Sequence, residues 1–76
     1  MKVSILPFGH LSEVITGNIV LENMGDTDSI IKILNEKYPG LANMKYRIAV
    51  DKKMIAENFI LTTDCTIALL PPFSGG

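Results

Sequence analysis

MGDTDSIIKILNEKYPG, residues 24–40, has the start and end signals of a single helix. Thr27 is a candidate N-cap, Asp28 suits the positive end of the helix dipole, and Lys37 stands near the end, just before a Pro-Gly pair. Apolar residues at helical spacing share one broad face, opposite Lys32, Asn35 and Glu36: Ile30, Ile31, Ile33, Leu34 and Tyr38. This pattern predicts one helix that lies on a sheet.

Strand-like segments stand on both sides of this helix. Apolar and polar residues alternate with period two in residues 1–8, 45–50 and 66–70, residues 18–23 form a further short strand, and a hairpin turn is expected at 51–53. The connection from Gly9 to Asn18 is rich in turn-forming residues, with one helical turn around Leu11 to Val14. The order strand, strand, helix, strand, strand, strand predicts an α+β roll, a mixed sheet of about five strands with one main helix across one face.

Length, composition and charge narrow the class of protein. The 76 residues allow one domain, 1–76, with 71–76 as an extended tail. Seven Lys and Arg are balanced by eight Asp and Glu, so a nucleic-acid partner is not expected. The chain lacks a signal-like apolar start and any apolar run near the roughly 20 residues of a membrane helix. We therefore expect a cytoplasmic protein that does not bind membranes.

Cys65 and His10 are single residues of their kind. One cysteine excludes an intrachain disulfide and a cysteine-rich zinc site, and no metal site is predicted. Cys65 stands at the entry to the last strand, where we interpret it as a small apolar filler; the alternative is a catalytic nucleophile. His10 is interpreted as a surface residue in a loop.

The outer face of the first strand changes from polar to apolar along its length. If Val3 and Ile5 point inward, Leu6 and Phe8 point outward near the strand's end. Leu70 has the same outward parity at the end of the last strand, so adjacent first and last strands would form an apolar patch at the base of the tail. The alternative is that Pro7 makes the strand irregular and reverses this parity.

The chain ends in LLPPFSGG, residues 69–76. Pro71 and Pro72 favour a stiff, extended course, Phe73 supplies an anchor, and six extended residues reach about 20 Å. Gly75 and Gly76 lack Cβ atoms and would pass through a narrow channel, so that a partner enzyme could act on the terminal carboxylate. Adenylation would activate that carboxylate, and an incoming sulfur would convert it to a thiocarboxylate.

These segments resemble the ubiquitin-like sulfur carriers, and within them the small subunits of molybdopterin synthase. The resemblance covers MKVSILPFGHLSEV, DTDSIIKILNEKYPGL, IAVDKKMI and above all the Pro-Pro-x-x-Gly-Gly tail of ALLPPFSGG. It implies a ubiquitin-like β-grasp fold, in which the first and last strands lie side by side. It also implies that the chain is no enzyme by itself and donates sulfur from a Gly76 thiocarboxylate to a cyclic pyranopterin precursor.

The resemblance further implies partners and contact residues. The large catalytic subunit would form a heterotetramer with two small and two large subunits, and a ubiquitin-activating-type adenylyltransferase would use ATP to adenylate Gly76, with no cofactor bound to the carrier. The implied contact surface is Phe8, Met54 and Leu70, followed by Pro71, Pro72, Phe73 and Ser74, with Gly75 beside Gly76 in the large subunit's pocket.

Other functions remain open at this point. Related carriers donate sulfur to thiamine, to a transfer RNA base or to an amino acid. A diglycine end also suits a protein modifier that is conjugated to lysines through Gly76. The simplest alternative is an interaction domain with a disordered tail.

Overall fold

The computed structural model describes residues 1–17 and 19–72. Its elements are five strands, two α-helices and one 3₁₀ helix. In chain order they are β1 Lys2–Pro7, α1 Leu11–Val14, β2 Ile19–Glu22, α2 Thr27–Lys37, the 3₁₀ helix Pro39–Asn43, β3 Arg47–Val50, β4 Lys53–Ile55 and β5 Cys65–Leu70, all within the described residues. The predicted order of strands and main helix is therefore confirmed, as is the helical turn at Leu11–Val14. The 3₁₀ helix was not predicted; its Leu41 is fully buried.

The five strands form one mixed sheet in the order β2-β1-β5-β3-β4. The first and last strands lie parallel at its centre, with Ile5 opposite Ile67, and the other neighbouring pairs are antiparallel. Such a parallel pair needs a long crossover, and everything between β1 and β5 supplies it. The predicted adjacency of first and last strands is thus confirmed.

Helix α2 packs across one face of this sheet. The core between them combines residues of β1, β3 and β5 with residues of the helices and loops: Val3, Ile5, Leu11, Ile15, Ile30, Leu34, Leu41, Ile48, Val50, Leu61, Ile67 and Leu69. On α2, Ile30 and Leu34 are buried, and Ile31 and Tyr38 pack against the core from its margin. Ile33, which was predicted on the same face, is half-buried and outside this cluster.

The N-cap of α2 is Asp26, and the prediction of Thr27 was wrong. The Asp26 carboxylate accepts a hydrogen bond from the Ser29 N–H at 3.0 Å, and hydrogen bonds from Ser29 and then Asn58 hold the pKa of Asp26 below its usual value. Thr27 is instead the first helical residue, and it is buried. Its hydroxyl forms hydrogen bonds with residues more than 30 positions along the chain. It accepts a hydrogen bond from the Phe59 N–H at 2.9 Å and donates to the Asn58 side chain.

Replacing Thr27 with valine should lower the free energy of unfolding by about 1–3 kcal/mol, because the Phe59 N–H loses its acceptor in a part-buried place. Chemical denaturation measures this loss. Thr16→Val is the matched control, since Thr16 is exposed and should change stability little. Equal midpoints for the two variants would show that the Thr27 hydroxyl does not hold the loop onto α2.

Strand β1 continues through Pro7 without a change of parity. The Phe8 N–H donates to the Leu69 carbonyl at 2.9 Å, so the preceding nitrogen, that of Pro7, points away from β5. On the opposite side, the described pairing with β2 ends at Ile5. Pro7 therefore lies at a position where the ladder requires no N–H donor. The alternative, that Pro7 reverses the parity of the strand, is wrong.

Candidate functional site

The outer face of the sheet, opposite α2, carries a continuous apolar row. In register, Leu6 lies opposite Ala68, Ala68 opposite Ala49, and Ala49 opposite Met54, so the row crosses β1, β5, β3 and β4. Leu6 and Met54 keep 47% and 50% of their surface exposed. Long apolar side chains that face solvent around a row of small ones suit contact with another protein.

Ala49 lies on the outer face of the sheet, yet it is only 3% exposed. Its side chain is one methyl group, and it stands between Met54 and Ala68 on the two neighbouring strands. Because the alanines are short, the centre of the row is low and its ends are raised.

The apolar row continues to the point where the tail begins. Phe8 follows β1 and is 43% exposed, and Leu70, half-buried, is the last residue of β5. Leu6, Phe8 and Leu70 thus lie at one end of adjacent strands, where Leu6 and Phe8 are exposed and Leu70 is half-buried. We call Leu6, Phe8, Met54, Ala68 and Leu70 the outer apolar face. Its role in binding stays a prediction.

A groove of about 320 Å³ lies on this face. It is bordered by three residues of the outer apolar face, by Thr66 of β5 and by the β3–β4 turn: Leu6, Phe8, Ala68, Thr66, Asp51 and Lys52. Asp51 and Lys52 both have positive φ, 47° and 74°, as a two-residue type I′ hairpin turn requires. The Asp51 N–H donates to the Thr66 carbonyl, and the Asp51 carboxylate accepts from the Thr66 N–H, each at 2.9 Å. The turn is therefore held against β5 as a fixed wall.

A larger cavity, about 500 Å³, lies beside the start of α2 and the β3–β4 hairpin. Of the residues predicted to bind a partner, it contains Met54 and neither Phe8 nor Leu70. The smaller groove is the better candidate, because it contains Phe8 together with Leu6 and Ala68 of the outer apolar face.

The tail lies partly within the described residues. Pro71 is half-buried and Pro72 is exposed, and neither belongs to a strand. The predicted residues Phe73, Ser74, Gly75 and Gly76 lie outside the described part of the chain, and their roles stay predictions.

The single histidine of the chain lies on the surface turn that follows β1. His10 is exposed, and its Nδ1 lies 3.9 Å from a carboxylate oxygen of Glu13, its neighbour on the same surface turn. Within residues 1–17 and 19–72, no three His, Cys, Asp or Glu side chains lie close enough together to hold a metal ion. No helix in these ranges is long and apolar enough to cross a membrane.

Cys65 is half-buried against the core at the start of β5. Burial raises the pKa of the Cys65 thiol, and the nearby carboxylates of Asp51 and Asp64 raise it further. A thiol that holds its proton is a poor nucleophile, in agreement with the interpretation of Cys65 as a filler.

Alkylation of Cys65 should accordingly be slow. At pH 8 we expect iodoacetamide to modify the folded protein severalfold more slowly than the urea-unfolded chain, because the folded state disfavours the thiolate. Because the pKa of Cys65 is raised in the folded state, the neutral thiol favours folding. This stabilisation is complete below the ordinary thiol pKa and is lost as the pH rises through the pKa of the folded state. Intact-mass kinetics measure the labelling, and a folded protein that reacts as fast as the unfolded one would contradict the assignment.

The sequence alone did not reveal the positions of Met54 and Gly9 in the site. Met54 was implied by family resemblance, and only the register of β3 and β4 places it in the apolar row. Gly9 was treated as a turn residue, although a Cβ at this position would strike Pro71 at the start of the tail. In the sequence, the only sign of this contact was a glycine directly after the predicted first strand, and that sign did not identify Pro71 as the neighbour.

Three solved structures share this fold over nearly the whole chain. The small archaeal modifier protein 1 of Methanosarcina acetivorans superposes with a TM-score of 0.81 at 22% identity, covering 99% of this chain and 96% of that one. Its counterpart from Haloferax volcanii gives 0.78 at 19% identity, with both chains fully covered. A chain in the complex of subunits 1 and 2 of the molybdopterin-converting factor from Helicobacter pylori gives 0.77 at 30% identity, again with full coverage of both chains.

The sequence also matches a family model directly. The ThiS family model covers residues 5–76, from the middle of β1 to the last glycine. The predicted ubiquitin-like β-grasp fold is confirmed by the mixed sheet, the helix across it and these neighbours. The chain therefore belongs to the ThiS family, whose members are small ubiquitin-like sulfur carriers that are not catalytic on their own.

Proposed function

We propose that this protein is the sulfur-carrying small subunit of a molybdopterin synthase. The observation that carries the proposal is the outer apolar face, which lies beside the end of β5 where the Pro-Pro-x-x-Gly-Gly tail begins. A partner that covers this face would have the tail at the edge of the contact. The 30% identity to a chain in a complex of two molybdopterin-converting factor subunits supports the same partner.

The chemistry resides in the terminal carboxylate of Gly76. That carboxylate attacks the α-phosphorus of ATP in the adenylyltransferase, and pyrophosphate leaves. Hydrosulfide, or an equivalent sulfur donor, then attacks the acyl carbon, and AMP leaves together with a proton. The product is a thiocarboxylate, whose sulfur is a good nucleophile. ATP is consumed by the activating enzyme, and the carrier itself binds no cofactor.

Transfer would take place in the large subunit. The thiocarboxylate sulfur attacks a carbon of the cyclic pyranopterin precursor and displaces an oxygen leaving group, which takes up a proton, so that a C–S bond replaces a C–O bond. Water then attacks the acyl carbon, the carbon–sulfur bond to Gly76 breaks, the sulfur leaves on the pterin as a thiolate, and Gly76 returns to a carboxylate with release of protons. A dithiolene contains two sulfur atoms, so two charged carriers serve one product. An assembly of two small and two large subunits, located in the cytoplasm, would meet this requirement.

The fold and the family leave other acceptors possible, and experiment separates them. The protein is incubated with a candidate adenylyltransferase, ATP and a sulfur source, and intact mass is recorded. We expect a gain equal to sulfur minus oxygen, located at Gly76 by fragmentation. Charged protein is then mixed with the large subunit and the precursor, and molybdopterin formation is measured.

Each outcome has a clear reading. Charging followed by molybdopterin formation supports the proposal. Charging without it, but with thiolation of a thiamine precursor, a transfer RNA base or an amino acid, assigns a different sulfur pathway. Higher-mass adducts on lysines in cell extract would identify a protein modifier. If deleting Gly76 impairs no function, the chain is an interaction domain.

A further inference from the structure

Gly9 lies in a turn that the fold holds firmly. Its φ is +58°, and its carbonyl accepts hydrogen bonds from the Ser12 N–H at 3.1 Å and the Ser12 hydroxyl at 2.7 Å. On one side, the Phe8 N–H is bonded to the Leu69 carbonyl of β5; on the other, Leu11 is anchored in the core. The position of Gly9 relative to the end of β5 is therefore fixed from both directions.

Pro71 packs onto the space that a side chain at position 9 would occupy. A Cβ built on Gly9 would lie 2.7 Å from Cγ of Pro71 and 3.6 Å from its Cδ. Contacts between carbon atoms are normally about 3.5–4.0 Å, so any other residue at position 9 would force Pro71 to move by roughly 1 Å. The pyrrolidine ring thus rests directly against the glycine backbone.

Such a movement would change the direction of the tail. Leu70 is paired in β5 opposite Arg47, and the residue before a proline has a restricted backbone. The ring of Pro71 also fixes its own φ, so the change would be taken up where the two residues join. The chain from Pro71 to Gly76 spans up to about 20 Å when extended, and a small rotation at its base would be magnified at its end.

We propose that Gly9 is a positioning residue for the C-terminal tail: its missing side chain seats Pro71 against the β1–α1 turn and so sets the direction in which the chain leaves β5. The consequence for sulfur chemistry rests on the proposed function. The packing of Pro71 on Gly9 does not depend on that function.

The test uses two glycines that differ in one respect. Gly9 and Gly17 both have positive φ, +58° and +81°, but a Cβ at Gly17 would meet no atom within 4 Å in the described part of the chain. Gly9→Ala and Gly17→Ala thus share the backbone cost and differ in the clash with Pro71. We expect kcat/KM for charging by the adenylyltransferase to fall between about tenfold and 100-fold in Gly9→Ala only. Equal values for the two variants would overturn the proposal.

Pro71→Ala provides the rescue, because it removes the Cγ and Cδ atoms that the new methyl group would strike. Added to Gly9→Ala, it should restore part of the lost kcat/KM and part of the denaturation midpoint, whereas added to Gly17→Ala it should restore neither. Additive effects of Gly9→Ala and Pro71→Ala on the midpoint would overturn the packing. If the wild-type chain is not charged at all, the proposed function fails, and this double-mutant cycle on unfolding still decides whether Gly9 seats Pro71.

Discussion

Adding one alanine after Gly76 is expected to abolish sulfur charging and to leave the unfolding transition unchanged. In the proposed chemistry the reacting group is the main-chain carboxylate of a glycine, reached through a channel that admits residues without a Cβ. The added residue puts a methyl-bearing Cα at the reacting position and moves the carboxylate about 3.5 Å onward. Neither change touches the core.

Intact mass after incubation with the adenylyltransferase, ATP and sulfide measures the effect. The matched control is the same alanine added at the amino terminus, which lengthens the chain equally and should charge like the wild type. Mass also shows whether the added alanine has been trimmed during the assay. An untrimmed, extended protein that acquires sulfur at its new end would rule out the requirement for a terminal glycine.

Phe8→Asp should weaken binding to the large subunit by about thirtyfold or more, equivalent to about 2 kcal/mol. Phe8 borders the groove and is 43% exposed in the free protein, so the change places a charge in an interface without opening the core. A buried, unpaired carboxylate is costly at a protein contact. Isothermal titration calorimetry, with the sulfur-free carrier titrated into the large subunit, measures the affinity.

Val20→Asp is the matched control for this substitution. Val20 is also an apolar residue, and 53% of its surface is exposed. It lies on the edge strand β2, opposite Ser4 of β1, whereas Met54 lies on the other edge strand, β4. We expect near wild-type affinity, since β2 is outside the groove. Equal losses for both variants would indicate a general effect of negative charge, and no loss for either would remove the outer apolar face from the interface.

The local sequence predicted the helix well and its first residue poorly. Asp26 and Thr27 are both good N-cap residues, and propensity does not separate them. The choice depends on residues far along the chain, because Asn58 and Phe59 bind the Thr27 side chain. The 3₁₀ helix was missed for a related reason, since Leu41 turns inward to complete a core that no local pattern defines.

The outer apolar face was predictable where parity sufficed. Alternation placed Leu6 and Phe8 outward, and the topology placed them beside Leu70. The burial of Ala49 depends on the register between three strands, which alternation alone does not give. The contact between Gly9 and Pro71 joins the two ends of the chain at sub-ångström tolerance, and only coordinates reveal it.

The parallel pairing of β1 and β5 has a mechanical consequence. Force applied between the amino end of β1 and the carboxyl end of β5 would load these two central strands in shear, along their length, because they are parallel neighbours. Their ladder hydrogen bonds would then share the force at once, whereas strands pulled apart sideways open one bond after another. We therefore expect this fold to resist force applied along these strands better than force applied across the sheet.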